Sequence, residues 1–254
     1  MIGRHMMNWS TTRQLLFALA LLAVVVVVSV VAYFVYFYSP PSCSDRTQNQ
    51  NEEGVDCGGE CSLLCVAPNI TTLWARSVQV APGVYHAVAL IKNPNTSAAG
   101  TVPYSVSLFD EANILIAVRE GTLRLLPGDI APLFEANIVT GERPPAKTFI
   151  DIGEGRFEKA ERGASPVRVL SWDFEPEQAR LIATLENQSP VAVGEVIVPA
   201  LLMDSTEFLI NASQTTLDGM EPHARVEVVF TWQEPFVDVP TRIDIIPRLQ
   251  STAQ

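Results

Sequence analysis

Residues 101–110 read TVPYSVSLFD, and their period of two decides the fold class. Val102, Tyr104, Val106 and Leu108 fall on one face of a strand, with Pro103, Ser105, Ser107 and Phe109 on the other. The alternation returns at 225–232, where Val226, Val228, Phe230 and Trp232 oppose Arg225, Glu227, Val229 and Thr231. Turn formers stand between such runs: Asn93-Pro94-Asn95, Asp110-Glu111-Ala112-Asn113, Pro127-Gly128-Asp129 and Asn187-Gln188-Ser189-Pro190. Short strands at this spacing predict antiparallel β-sandwiches. Beyond residue 66 the one stretch that reads as helix is 156–162, RFEKAER, which is too short to stand alone.

Working outward, the chain repeats itself after a shift of 94 residues. Pro82 meets Pro176, Ala89 meets Ala183, Asn93 meets Asn187, Gly100 meets Gly194, Leu108 meets Leu202 and Asp110 meets Asp204. Leu115-Ile116 meets Leu209-Ile210, and Thr122-Leu123 meets Thr216-Leu217. Pro127 pairs with Pro222 after a one-residue slip, and Thr148-x-Ile-Asp-Ile pairs with Thr241-x-Ile-Asp-Ile. Ordered, nearly gapless identities at this period indicate a duplicated domain rather than a short solenoid repeat. The expected sandwiches are residues 68–160 and 161–254. Asp110 and Asp204 read as turn residues that hydrogen-bond their own backbone. Trp74, Trp172 and Trp232 read as core plugs or as strand-end packing.

Each copy resembles the FxLYD-type immunoglobulin-like domain. The elements that carry the resemblance are Asn93, the strand ending SLFD at Asp110, and Leu126-Pro127-Gly128; in the second copy they are Asn187, LLMD ending at Asp204, and Met220-Glu221-Pro222. The second copy lacks the Gly after Pro and the aromatic before Asp. The resemblance implies extracytoplasmic binding or spacer modules with no catalytic residues to carry over.

Toward the N-terminus, residues 15–38 contain no charge and are apolar almost throughout (LLFALALLAVVVVVSVVAYFVYFY). At about 1.5 Å per residue this run spans the ~30 Å hydrocarbon layer as a helix. Tyr33, Phe34, Tyr36, Phe37 and Tyr38 form an aromatic belt at its end. Arg4 and Arg13, the only formal charges before Ser44, put residues 1–14 in the cytoplasm and the remainder outside. The run is longer than a signal-peptide core and ends in Pro40-Pro41, so it reads as an uncleaved single-pass signal-anchor. Residues 39–254 hold 15 basic and 28 acidic side chains, a net charge of −13, which argues against a nucleic-acid partner. With 48% hydrophobic and 18% charged residues overall, the chain is not of a disordered type.

Between anchor and sandwiches lies a neck, residues 39–67, that holds all four cysteines: Cys43, Cys57, Cys61 and Cys65, spaced C-x13-C-x3-C-x3-C. Outside the cytoplasm these read as two disulfides, with three pairings open. Zinc is the competing reading, although the paired C-x2-C arms it usually takes are absent. The stretch resembles a C-x-D-G-x-x-N-x-x-E-x-G-x-D-C-G-G-x-C module of bacterial surface proteins, matched by Cys43, Asp45, Asn49, Glu52 or Glu53, Gly54, Asp56, Cys57, Gly58, Gly59 and Cys61. Arg46 stands where that pattern has Gly. Asp45, Asn49, Asn51, Glu53 and Asp56 form a candidate calcium set, since alternating oxygens before a turn glycine suit that ion. The alternative is a polar loop of Asx turns that needs no metal.

No catalytic residues are assigned. The histidines are His5, His86 and His223, no cysteine lies in either sandwich, and no G-x-S-x-G, H-E-x-x-H, Walker A or G-x-G-x-x-G motif occurs. The expected function is therefore non-catalytic: an anchored extracytoplasmic binding or scaffolding protein of the cell envelope, with an unknown protein or envelope ligand. The alternatives are a structural spacer or an accessory subunit of a membrane-embedded secretion or transport complex.

Overall fold

A computed structural model of the chain describes residues 9–36, 42–49, 51–161 and 165–250. Two units divide the chain, residues 1–60 and 61–254. The first contains helix α1 (Trp9–Tyr36). Its segment Thr12–Tyr36 has a mean hydropathy of 3.2 and buries none of its apolar surface against protein. Such a helix satisfies its backbone internally and leaves its side chains to an apolar medium, so it is long and apolar enough to span a membrane. Residues 9–14 are already helical, ahead of the apolar run that begins at residue 15, since neither Pro nor Gly interrupts them. Phe37 and Tyr38, expected at its end, lie outside the described residues.

The second unit is built from antiparallel strands. The first seven are β1 (Thr71–Ala81), β2 (Val84–Lys92), β3 (Ala98–Phe109), β4 (Leu115–Leu125), β5 (Ile130–Val139), β6 (Lys147–Ile152) and β7 (Arg156–Lys159). One sheet has the order β1-β2-β5; the other has the order β4-β3-β6, with β7 also paired to β3. The next seven are β8 (Val167–Glu175), β9 (Arg180–Asn187), β10 (Val196–Met203), β11 (Leu209–Leu217), β12 (Arg225–Thr231), β13 (Arg242–Ile245) and β14 (Arg248–Leu249). They repeat the topology strand for strand: β8-β9-β12 in one sheet, and β11-β10-β13 with β14 on β10 in the other. The fold is thus two antiparallel β-sandwiches in tandem.

Period-two alternation fills both cores. Ala87, Ala89 and Ile91 from β2 meet Val102, Val106 and Leu108 from β3, and Phe157 closes the end of the barrel-like interior at 1% exposure. In the second copy Leu181, Ala183 and Leu185 meet Val196, Val198, Ala200 and Leu202. The aligned asparagines clamp the loops of each copy and are fully buried. Asn93 Nδ2 donates to the carbonyls of Ala98 (2.8 Å) and Leu126 (2.9 Å), and its Oδ1 accepts from Asn95 N. Asn187 Nδ2 donates to Val191 O, Met220 O and Glu221 O, and its Oδ1 accepts from Ser189 N. Asp110 Oδ1 accepts from Ile114 N, and Asp204 Oδ1 from Thr206 N and Phe208 N, as their turn positions require.

Two expectations fail here. Residues 156–159 are strand β7 rather than the start of a helix. A helix has nowhere to bury Phe157, whereas pairing with Ala98–Thr101 points it into the core. Trp172 is neither a core plug nor strand-end packing: it lies within edge strand β8, opposite the small Ala183, and is 50% exposed. Trp74 and Trp232 are half-buried against cores, as expected of packing residues.

Candidate functional site

The neck is built by hydrogen bonds that nearby amides donate to carboxylates. Asp45 accepts from Asn49 Nδ2 (2.8 Å), Thr47 N (2.9 Å) and Ser42 N (3.2 Å), and these donors, Asn49 foremost, hold its pKa below the ordinary value. Asp56 reaches across ten residues to accept from Arg46 N at 3.0 and 3.2 Å. Arg46 has φ +62°, so the turn where the related pattern places Gly is present, with a side chain in the left-handed region. Gly59 (φ +53°) admits no other residue, because a Cβ would sit 1.7 Å from the Asn51 carbonyl oxygen.

Of the five candidate calcium ligands, Asp45 and Asn49 are joined directly, and Asp56 enters through the backbone of Arg46. Asn51 instead donates to Glu60 (3.4 Å), and Glu53 lies against Gly58. The carboxylate that ties this loop together is Glu52, 9% exposed, whose Oε2 accepts from Asn49 N and Asp56 N. The sequence left Glu52 and Glu53 as alternatives for the pattern's glutamate, and burial separates them. The cysteines pair as Cys43–Cys61 and Cys57–Cys65, one of the three arrangements left open, and no cysteine is free. In the second unit, residues 62–64 run beside β7: Leu64 N donates to Phe157 O and Lys159 N to Ser62 O, while Leu64 packs on the first core.

A second region went unread in the sequence. Between the two sandwiches lies a third core, where Val78 and Val88 of the β1-β2-β5 sheet meet Leu201, Met203, Leu209 and Ala212 of the β10–β11 face. The two copies therefore stack face to face, giving four layers of sheet. Arg76 fixes one rim, donating to Glu207 O (2.9 Å) with its guanidinium 4.1 Å from the Phe208 ring centroid. Arg248 fixes the other, paired with Asp129 at 2.7 Å and donating to Arg124 O. A groove of about 400 Å³ opens beside this second rim, lined by Tyr104, Arg124, Phe134, Pro199, Gln214 and Arg248 among others. Tyr104 donates to Glu135 (2.5 Å); burial first and then that carboxylate push its pKa well above the ordinary value, so its hydroxyl stays a neutral donor. The signal for the stacking was present in AVALI (87–91) and VIVPALLM (196–203), apolar runs without alternation, which mark strands buried on both faces.

The remaining polar groups form no reacting constellation among the described residues. His86 Nδ1 accepts from Asn137 N (3.1 Å), its ring packs on Phe134, and burial lowers its pKa. His223 occupies a left-handed turn position. Trp232 Nε1 is buried without a hydrogen-bond partner, inside an aromatic cluster with Phe174 and Phe236.

No protein-family profile matches the chain, and no curated protein matches it. Among solved structures, the crystal structure of CBD12 from CALX1.2 superposes at TM-score 0.23 with 13% identity, over 71% of this chain and 83% of that one. Red sea bream transglutaminase superposes at 0.24 with 11% identity, over 72% of this chain and 29% of that one. The calcium binding domain CBD12 of CALX1.1 superposes at 0.21 with 14% identity, over 70% and 81%. Superpositions this loose transfer neither ligand nor activity to the chain.

Proposed function

We propose that this chain is a single-pass, membrane-anchored binding or scaffolding protein of the cell envelope, with residues 1–14 cytoplasmic, both sandwiches extracytoplasmic, and no catalytic activity. The observation that carries the proposal is an unburied apolar helix in a chain whose four cysteines are all disulfide-bonded. Disulfides persist on the oxidising side of a membrane and the arginines favour the other, so the two ends of α1 belong to different compartments. The polar groups of the sandwiches support a non-catalytic role, since His86 and Tyr104 are each engaged in structural hydrogen bonds. The neck is proposed to act as a stapled polar joint without calcium, its carboxylates being taken up by loop amides.

Protease treatment of intact cells producing the full chain tests the topology. The expected result is a released fragment containing both sandwiches while an N-terminal tag stays protected; a protected sandwich region with a cleaved tag overturns it. The face-to-face stacking favours the spacer as a second reading, because a shared core holds two sandwiches as one body. A spacer keeps its envelope partners co-purifying after both sandwiches are replaced by unrelated ones, whereas a binding protein loses them.

A further inference from the structure

The duplication supplies its own comparison for every surface. In the second copy, the outer face of the β11-β10-β13 sheet presents Leu201, Met203, Leu209 and Ala212, all covered by the first copy. The shift of 94 carries these positions to Ser107, Phe109, Leu115 and Val118 of the β4-β3-β6 sheet. That face is uncovered: Leu115 is 50% exposed, Val118 39%, and Phe149 on β6 62%. At the other end of the stack the outer face of β8-β9-β12 has the row Ser171–Thr184–Glu227, where the docking face of the first copy has Trp74–Leu90–Pro132. That row is polar, while the next row of the same face, Asp173–Ile182–Val229, keeps Val229 47% exposed.

Along β6 the exposed face is complementary to itself. Val118, Ser107 and Phe149 form one row across β4, β3 and β6. On one side of it β6 presents Lys147, whose Nζ is steadied by Asn113 Oδ1 at 2.6 Å; on the other it presents Asp151, in the row of Ser105 and Glu120. A two-fold axis lying along the central row reverses strand direction in the second copy. Phe149 then meets Phe149, and Lys147 of each copy meets Asp151 of the other. We propose that the outer face of the β4-β3-β6 sheet pairs two copies of this chain about such an axis. The contact is isologous, so it closes at a dimer, and it holds whether or not the chain is an anchored binding protein.

Sedimentation of the full chain in mild detergent tests this, with the melting profile as a folding control. Wild type forms a dimer; Phe149→Asp and, as a second variant, Val118→Glu are monomeric and still melt cooperatively, at the midpoint wild type shows when diluted to monomer. Lys147→Glu or Asp151→Lys alone turns two attractive rim pairs repulsive and weakens the dimer by roughly three- to tenfold. Combining them restores association to within about twofold, since exposed pairs of swapped sign are worth the same. A photo-crosslinker at Ser107 joins β3, β4 or β6 of the second copy. A monomeric wild type, a dimer indifferent to Phe149→Asp, failed restoration by the double swap, or crosslinks to another face would each overturn the proposal.

Discussion

Replacing Asn187 by alanine removes a side chain that joins three loop carbonyls and one amide inside the second sandwich. Asn187 is fully buried and donates to Val191 O at 2.9 Å, Met220 O at 3.3 Å and Glu221 O at 3.0 Å. Met220 O keeps another donor in Val193 N, and Glu221 O keeps Ala224 N, so neither is orphaned by the change. The loss is then the net worth of about three hydrogen bonds plus a small void, roughly 2–4 kcal/mol. Asn187→Asp sharpens the test. It preserves shape but turns a carboxylate oxygen toward carbonyl oxygens, so at pH 7 it should cost more than alanine. Burial among acceptors raises the pKa of that new carboxyl in the folded state, so the deficit relative to wild type should shrink as pH falls and the group protonates. Urea unfolding of the full chain in detergent, followed by tryptophan fluorescence at several pH values, measures both variants. A loss below about 1 kcal/mol for Asn187→Ala, or an aspartate milder than alanine at pH 7, would refute the clamp.

The aligned glycines should respond oppositely. A Cβ at Gly100 would sit 2.4 Å from Arg156 O and 2.6 Å from the Phe157 ring, whereas at Gly194 it meets nothing within 4 Å. Gly100→Ala should therefore lower stability by about 1–3 kcal/mol and Gly194→Ala raise it by about 0.4–1, as paired melting curves would show. Arg46→Gly should relieve a left-handed backbone and stabilise the neck by about 1 kcal/mol, read as slower reduction of its disulfides. His86 has a folded pKa below its ordinary 6.5, so its contribution is fully present above that value and lost as pH falls through the folded pKa. His86→Gln should flatten that part of the stability–pH profile, and an unchanged slope would show that His86 does not set it. Native mass spectrometry of the full chain should find two disulfides and no retained calcium; an adduct lost on Asp45→Asn or Asp56→Asn would establish the metal.

What was legible in the sequence was whatever local periodicity or exact recurrence encodes. Alternation at 101–110 and 225–232 placed β3 and β12, and the shift of 94 paired the strands of the two copies, since each inward side chain must recur at the same register. The asparagines at 93 and 187 stood out by recurrence, while their role as clamps depends on loops 33 and 34 residues away that no local pattern reports. Strand β7 was missed for a related reason. Four residues, RFEK, carry too little pattern to tell a strand from a helical turn, and the decision rests with the sheet edge they join. At the neck, the spacing implied disulfides but left their pairing open, and only burial distinguishes Glu52 from Glu53.

Duplication gives two copies identical outer faces, and two sandwiches with identical apolar faces would polymerise without end. The present chain has resolved that problem unevenly. Trp74, Leu90 and Phe134 stay apolar on the first copy's docking sheet and Leu201 and Met203 on the second copy's, so one contact is satisfied within the molecule. At one end of the stack one docking row has become Ser171, Thr184 and Glu227, which favours water over another sheet, while Val229 in the next row stays exposed. At the other end serines replace the central apolar positions, Ser105 and Ser107, yet Phe149, Val118 and Leu115 remain exposed around them. A surface meant only for solvent gains nothing from an exposed phenylalanine flanked by opposite charges. That phenylalanine, between Lys147 and Asp151 on one strand face, is the reason to look for a second copy on the β4-β3-β6 face.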